Sequence, residues 1–152
     1  MFAFLRHSGM NEEERLDAMD YMHDVRPLFD KLNREYSGWL TEASDDGKTL
    51  SLDRDPDGQH AAVYLYRVSS DATEFVQRRP VPAAAKYHEG FALCLEARAA
   101  AADSLKEAAD YAGSRDPGGK ITQANHKLAE ADRQLGRAKL ALRKLEDQIG
   151  PL

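Results

Sequence analysis

Arg98 is the residue of this 152-residue chain whose position most invites a chemical role. Helical spacing sets it in an apolar stripe of Tyr87, Phe91, Cys94, Ala101, Leu105, Ala108 and Ala112, between Cys94 and Ala101. A guanidinium placed there must find carboxylates or open space, because an unpaired buried charge is costly. One reading is structural: an ion pair with an acid of the first helix, Asp17 or Asp20. The other is functional: an anion-binding or small-ligand pocket lined by Arg98, Tyr87 and His88. The ion pair is the simpler of the two, since it needs no ligand.

The other reactive side chains lack the company that chemistry requires. Cys94 is the only cysteine, so no intramolecular disulfide or cysteine cage for zinc can form, and its place on the stripe reads as inert packing. Asp20 and His23 have the Asp-x-x-His spacing that holds a metal when a second such motif faces it, but the chain has no second copy. The acids from Asp53 to Asp57 lack the alternating ligands and distant glutamate of a calcium loop, and read as a solvated turn. No Gly-x-Ser-x-Gly or nucleotide-binding motif occurs. The expectation is a protein that is not an enzyme and uses no metal or cofactor.

Two surfaces suggest binding instead. Turning 100° per residue from Asp116 to Ile149 gathers His126, Arg133, Arg137, Leu140 and Lys144 on one outer face. Leu140 in the middle of a basic run is more than a solvated face needs, so Arg133, Arg137, Leu140 and Lys144 are candidate contact residues. Phe2, Phe4 and Leu5 form an apolar tab, read either as a second contact or as a segment tucked against the chain's own helices. Met10, directly before a helix start, is a second candidate initiator. Glu13, Asp17, Asp20 and Asp24 form an acidic face on the first helix, whose mutual repulsion calls for a basic neighbour.

These residues need long helices to position them. Ile121, Ala124, Leu128, Ala131, Leu135, Ala138, Leu142, Leu145 and Ile149 step by threes and fours without a polar interruption, a helical seam over residues 117–149. A second helix over 82–112 carries two apolar stripes, as a central helix with neighbours on both sides would. The short turn between them predicts an antiparallel helical hairpin. Asn11 stands three residues before Glu14 in a capping box, opening a helix over 11–41 that Pro27 should kink. Leu50, Leu52, Val63 and Leu65 alternate with polar or opposite-facing residues around Asp55-Pro56-Asp57-Gly58, which predicts a β-hairpin over 48–68. Residues 71–79 read as a short helix or a third strand.

The expected architecture is mainly α. One domain over 1–152 forms an elongated bundle of three long helices, with a short fourth as an option and an inserted two-stranded β-hairpin. Residues 1–9 stand outside it as the apolar segment. A charged fraction of 31% beside 42% hydrophobic residues fits a folded helical chain. The net charge of -5 argues against nucleic acid and anionic lipid as partners, and no run is long enough to span a membrane. A cytoplasmic structural or adaptor protein is expected, binding another protein or a second copy of itself as a homo-oligomer.

Overall fold

Asn11 opens the first helix, α1 (Glu12–Ala43), by accepting a 2.8 Å bond from the Glu14 backbone N–H, and three glutamates in the first turn complement the helix dipole. The computed structural model describes residues 10–111 and 117–150. Ala18, Met22, Val25, Phe29, Leu32 and Tyr36 bury one stripe of α1. Pro27 lies on the opposite side of the cylinder, within a helix that runs through it without a break. At 1.5 Å per residue its 32 residues span about 48 Å.

The expected β-hairpin over 48–68 is absent. Among the described residues the only β pairing is an isolated bridge between Ser44 and Leu50. Residues 59–77 form one helix, α2 (Gln59–Gln77), which also absorbs most of the stretch read as a short helix or strand. Val63 to Tyr66 have the β-branched and aromatic character of a strand, but tertiary burial selects the helical period instead. Ala61, Tyr64, Val68 and Phe75, spaced three, four and seven apart, all reach the core.

Asp55-Pro56-Asp57-Gly58 is therefore a helix start and not a hairpin turn. Asp55 is buried, and its carboxylate accepts from the backbone N–H of His60 at 3.1 Å and of Ala61 at 3.0 Å. Gly58 has φ +67°, and a Cβ there would stand 3.1 Å from both Ala109 Cβ and Lys106 Cα, so conformation and space both demand glycine. Asp55→Ala should leave two donors unpaired, the buried N–H of Ala61 and the half-buried N–H of His60, and cost about 2 kcal/mol in urea denaturation. Asp55→Asn, keeping one acceptor, should cost less; equal losses would mean the acceptor is not what matters.

The loop ahead of it is tied down by side chains. Asp46 accepts from the backbone N–H of Lys48 and Thr49, both at 2.8 Å, and these bonds hold its carboxyl well below the usual range. Asn125 brackets Leu50, accepting from its N–H at 2.7 Å and donating to its carbonyl at 3.3 Å.

A 3-10 turn (Pro82–Ala84) leads into α3 (Ala85–Asp110), and α4 (Pro117–Ile149) runs back along it. α3 buries one broad face, against α4 and α2 with the Phe29 ring of α1 reaching it. Its Glu89, Glu96, Asp103 and Asp110 stay exposed, as do Leu93 and Tyr111 of the weaker stripe. The α4 seam is buried at Ala124, Leu128, Ala131, Ala138, Leu142, Leu145 and Ile149, and half-buried at Ile121 and Leu135. Alanines let the two helices approach closely, and a Cβ on Gly90 would lie 3.4 Å from the Ala138 backbone. Aromatic rings instead space α1 from α3, with Phe29 and Phe91 centroids 4.6 Å apart and edge-on. Arg15 donates to the Ile149 carbonyl at 2.7 Å and satisfies the end of α4, while Arg26 and Glu146 pair at 2.8 Å. Lys31 and Asp71, 2.7 Å apart, join α1 to α2.

Candidate interaction surface

Arg98 finds neither Asp17 nor Asp20. It is 1% exposed and donates through Nη2 to the Asn33 side-chain oxygen at 2.9 Å. Its guanidinium lies over the Tyr36 ring at 3.8 Å from the centroid, with Phe91 at 5.8 Å. Nε and Nη1 have no hydrogen-bond partner among the described residues. Burial pushes the Tyr36 hydroxyl up to about 12. Arg98 meets α1 at the level of Asn33 and Tyr36, whereas Asp17 and Asp20 lie about 20–24 Å nearer its N-terminus and point to solvent.

Tyr87 and His88 do not converge with Arg98. Ten residues of one helix, about 15 Å, separate His88 from it. They belong to a second layer: His88 stacks on Phe75 with centroids 4.5 Å apart, and its Nδ1 lies 2.6 Å from the Tyr21 hydroxyl. Burial raises the Tyr21 and Tyr87 hydroxyls far above their ordinary range, so Tyr21 stays protonated, and the His88 tautomer sets which of the two groups donates. Burial also lowers the His88 pKa, with the Val76 carbonyl partly opposing it.

The folded chain thus takes up the His88 proton at a lower pH than the unfolded chain, which does so near pH 6.5. Stability linked to this ring is complete above about pH 6.5 and is lost as pH falls from there through the folded value. Urea midpoints measured from pH 7.5 to 5 should fall on the acid side, and the slope should disappear in His88→Gln. An unchanged slope would exclude His88 as its source.

Cys94, completely buried on the same stripe as Arg98, has its thiol pushed up to about 11 by burial. Roughly one molecule in ten thousand would carry the thiolate at pH 7. Asp20 and His23 border an open hollow along α1 with Met19, Met22 and Pro27. Among the described residues no three His, Cys, Asp or Glu side chains gather as a metal site would require.

The basic face of α4 is assembled as a trough. Arg137, Leu140 and Lys144 line a cavity of about 340 Å³ together with Lys86, Glu89 and Leu93 of α3. The trough continues into a second hollow of about 380 Å³ that shares Lys86, Ala141 and Lys144 and reaches Met10 and Glu14. Leu140 is 55% exposed and Leu93 41% exposed, facing the same opening. Arg133 stands apart, ion-paired with Glu130 one turn back on its own helix. Lys86, Arg137 and Lys144 have no ion pair among the described residues. Lys86, Glu89 and Leu93 were missed in the sequence reading, since only the helix pairing brings them beside Leu140. Phe2, Phe4 and Leu5 lie outside the described residues.

No protein-family model, curated protein or solved structure matches this chain. The chain's own geometry therefore carries the functional argument. No helix among the described residues is long and apolar enough to cross a membrane.

Proposed function

We propose that this chain is a non-enzymatic interaction protein that receives another protein segment in the α3–α4 trough. The observation that carries this reading is the pair of exposed leucines, Leu93 and Leu140, in a concave strip edged by three cations without ion pairs. Covering the exposed half of each leucine supplies the driving force, about 1 kcal/mol apiece. Lys86, Arg137 and Lys144 would set orientation and select an acidic partner. The small-ligand alternative around Arg98 has less support, because its guanidinium is covered by Tyr36 and stands apart from Tyr87 and His88.

The reading separates binding from folding. Exposed substitutions away from packed contacts normally change stability by less than about 0.5 kcal/mol. The double variant Arg137→Ala/Leu140→Ala should therefore melt within about 2 °C of the parent. Used as baits side by side, the parent should retain at least one protein that the double variant releases. A drop of ten degrees would assign these residues to the fold, and identical retained proteins would remove the trough as the contact.

A further inference from the structure

The first helix carries a surface that mirrors the trough. Leu16 is 50% exposed on the side of α1 opposite Ala18, with Glu13, Asp17 and Asp20 exposed around it. Asp24, the fourth acid of that face, is taken by Arg78 at 3.0 Å. Glu13, Asp17 and Asp20 have no ion pair among the described residues. Among the described residues α1 thus carries an acidic face and α4 a basic face without ion pairs, each with a solvent-exposed leucine at its centre.

Their spacing matches as well. Glu13, Leu16 and Asp20 step by three and four; Arg137, Leu140 and Lys144 step by three and four. Each triplet extends about 10 Å along its helix, with leucine at the same relative position. Laid side by side in parallel, Glu13 would meet Arg137, Leu16 would meet Leu140, and Asp20 would meet Lys144. Within one molecule the two triplets cannot meet, because Leu16 points away from the core that holds α4.

We propose that the occupant of the trough is the acidic Leu16 face of α1 from a second copy of this chain. This rests on the trough being an interaction surface and adds the identity of its partner. Leu16 fills the opening between Leu93 and Leu140, and the flanking charges register the two helices. Opposite charges on one chain make the contact self-complementary, so association needs no other protein and weakens as salt rises.

Charge exchange on the full chain tests it. Light scattering and sedimentation across a concentration series should show the parent associating. Glu13→Lys/Asp20→Lys and Arg137→Glu/Lys144→Glu should each weaken association by more than about tenfold while keeping the parent's circular dichroism. Mixing the two variants in equal amounts should restore association, since each retains the face that the other lacks. A parent that stays monomeric at every concentration overturns the self-pairing, leaving the trough to be judged by the bait comparison. Association lost in Arg137→Glu/Lys144→Glu but kept in Glu13→Lys/Asp20→Lys also overturns it, because the trough would then take some other segment. Loss in Phe2→Ser/Phe4→Ser without effect of the acidic exchange would give that role to the apolar N-terminal residues. Failure of the mixture to recover overturns the pairing outright.

Discussion

Phe91→Ala should lower stability by about 3–5 kcal/mol, the range for deleting a fully buried phenylalanine. Phe91 has no exposed surface and stands where three helices meet. It lies 4.6 Å from Phe29 of α1 and 4.9 Å from Phe75 of α2, both edge-on, and its ring is one wall of the Arg98 pocket. Removing it deprives the Phe29 and Phe75 rings of their shared edge-on partner. At this chain length the loss corresponds to a fall of roughly 10 °C or more in melting temperature. Phe91→Leu, which retains most of the volume, should lose under half as much. Similar losses for both variants would mean that ring-on-ring geometry, rather than filled space, holds the helices together.

Arg98→Met should go the other way and raise stability by about 1–3 kcal/mol. Arg98 gains from one charge-assisted bond to Asn33 and from the Tyr36 ring, together about 4 kcal/mol. Against this stand the several kcal/mol needed to take its charge out of water and two guanidinium nitrogens, Nε and Nη1, with no acceptor among the described residues. The losses win. Methionine keeps the length and the contact with Tyr36 without charge, which is the usual outcome when a poorly paired buried ion gives way to an apolar isostere. Arg98→Lys should be the least stable of the series, since it keeps a charge and loses the flat stack. Urea denaturation of the three proteins gives the ranking. A methionine variant less stable than the parent would show that the guanidinium is better solvated or better paired than Asn33 and Tyr36 alone allow.

The two helices that cradle the trough are each legible in the sequence; their pairing is not. The α4 seam is a local property, since a step of three and four repeated over thirty residues permits only one regular conformation. For the same reason α1 begins at its Asn11 cap and α3 follows Pro82, within a few residues of the expected bounds. A charge run with a leucine in its middle was equally visible, so Arg137, Leu140 and Lys144 could be singled out. The groove they line was not, because its other wall comes from a helix some fifty residues earlier.

Where local signals allowed two periods, burial decided. Val63, Tyr64, Leu65 and Tyr66 satisfy an alternating pattern as readily as a helical one, and Pro56 and Gly58 serve a tight turn as readily as a helix start. Only the core, which takes Ala61, Tyr64, Val68 and Phe75 together, selects the helix. Arg98 shows the same division. Its position on an apolar stripe is written in the sequence and is visible there as a conflict. The resolution by Asn33 and the Tyr36 ring depends on the level at which α1 passes α3, which no spacing along one helix can state. Periodicity belongs to the chain; the partners across a helix pair belong to the packed molecule, because side chains sixty residues apart meet only after the backbone has folded.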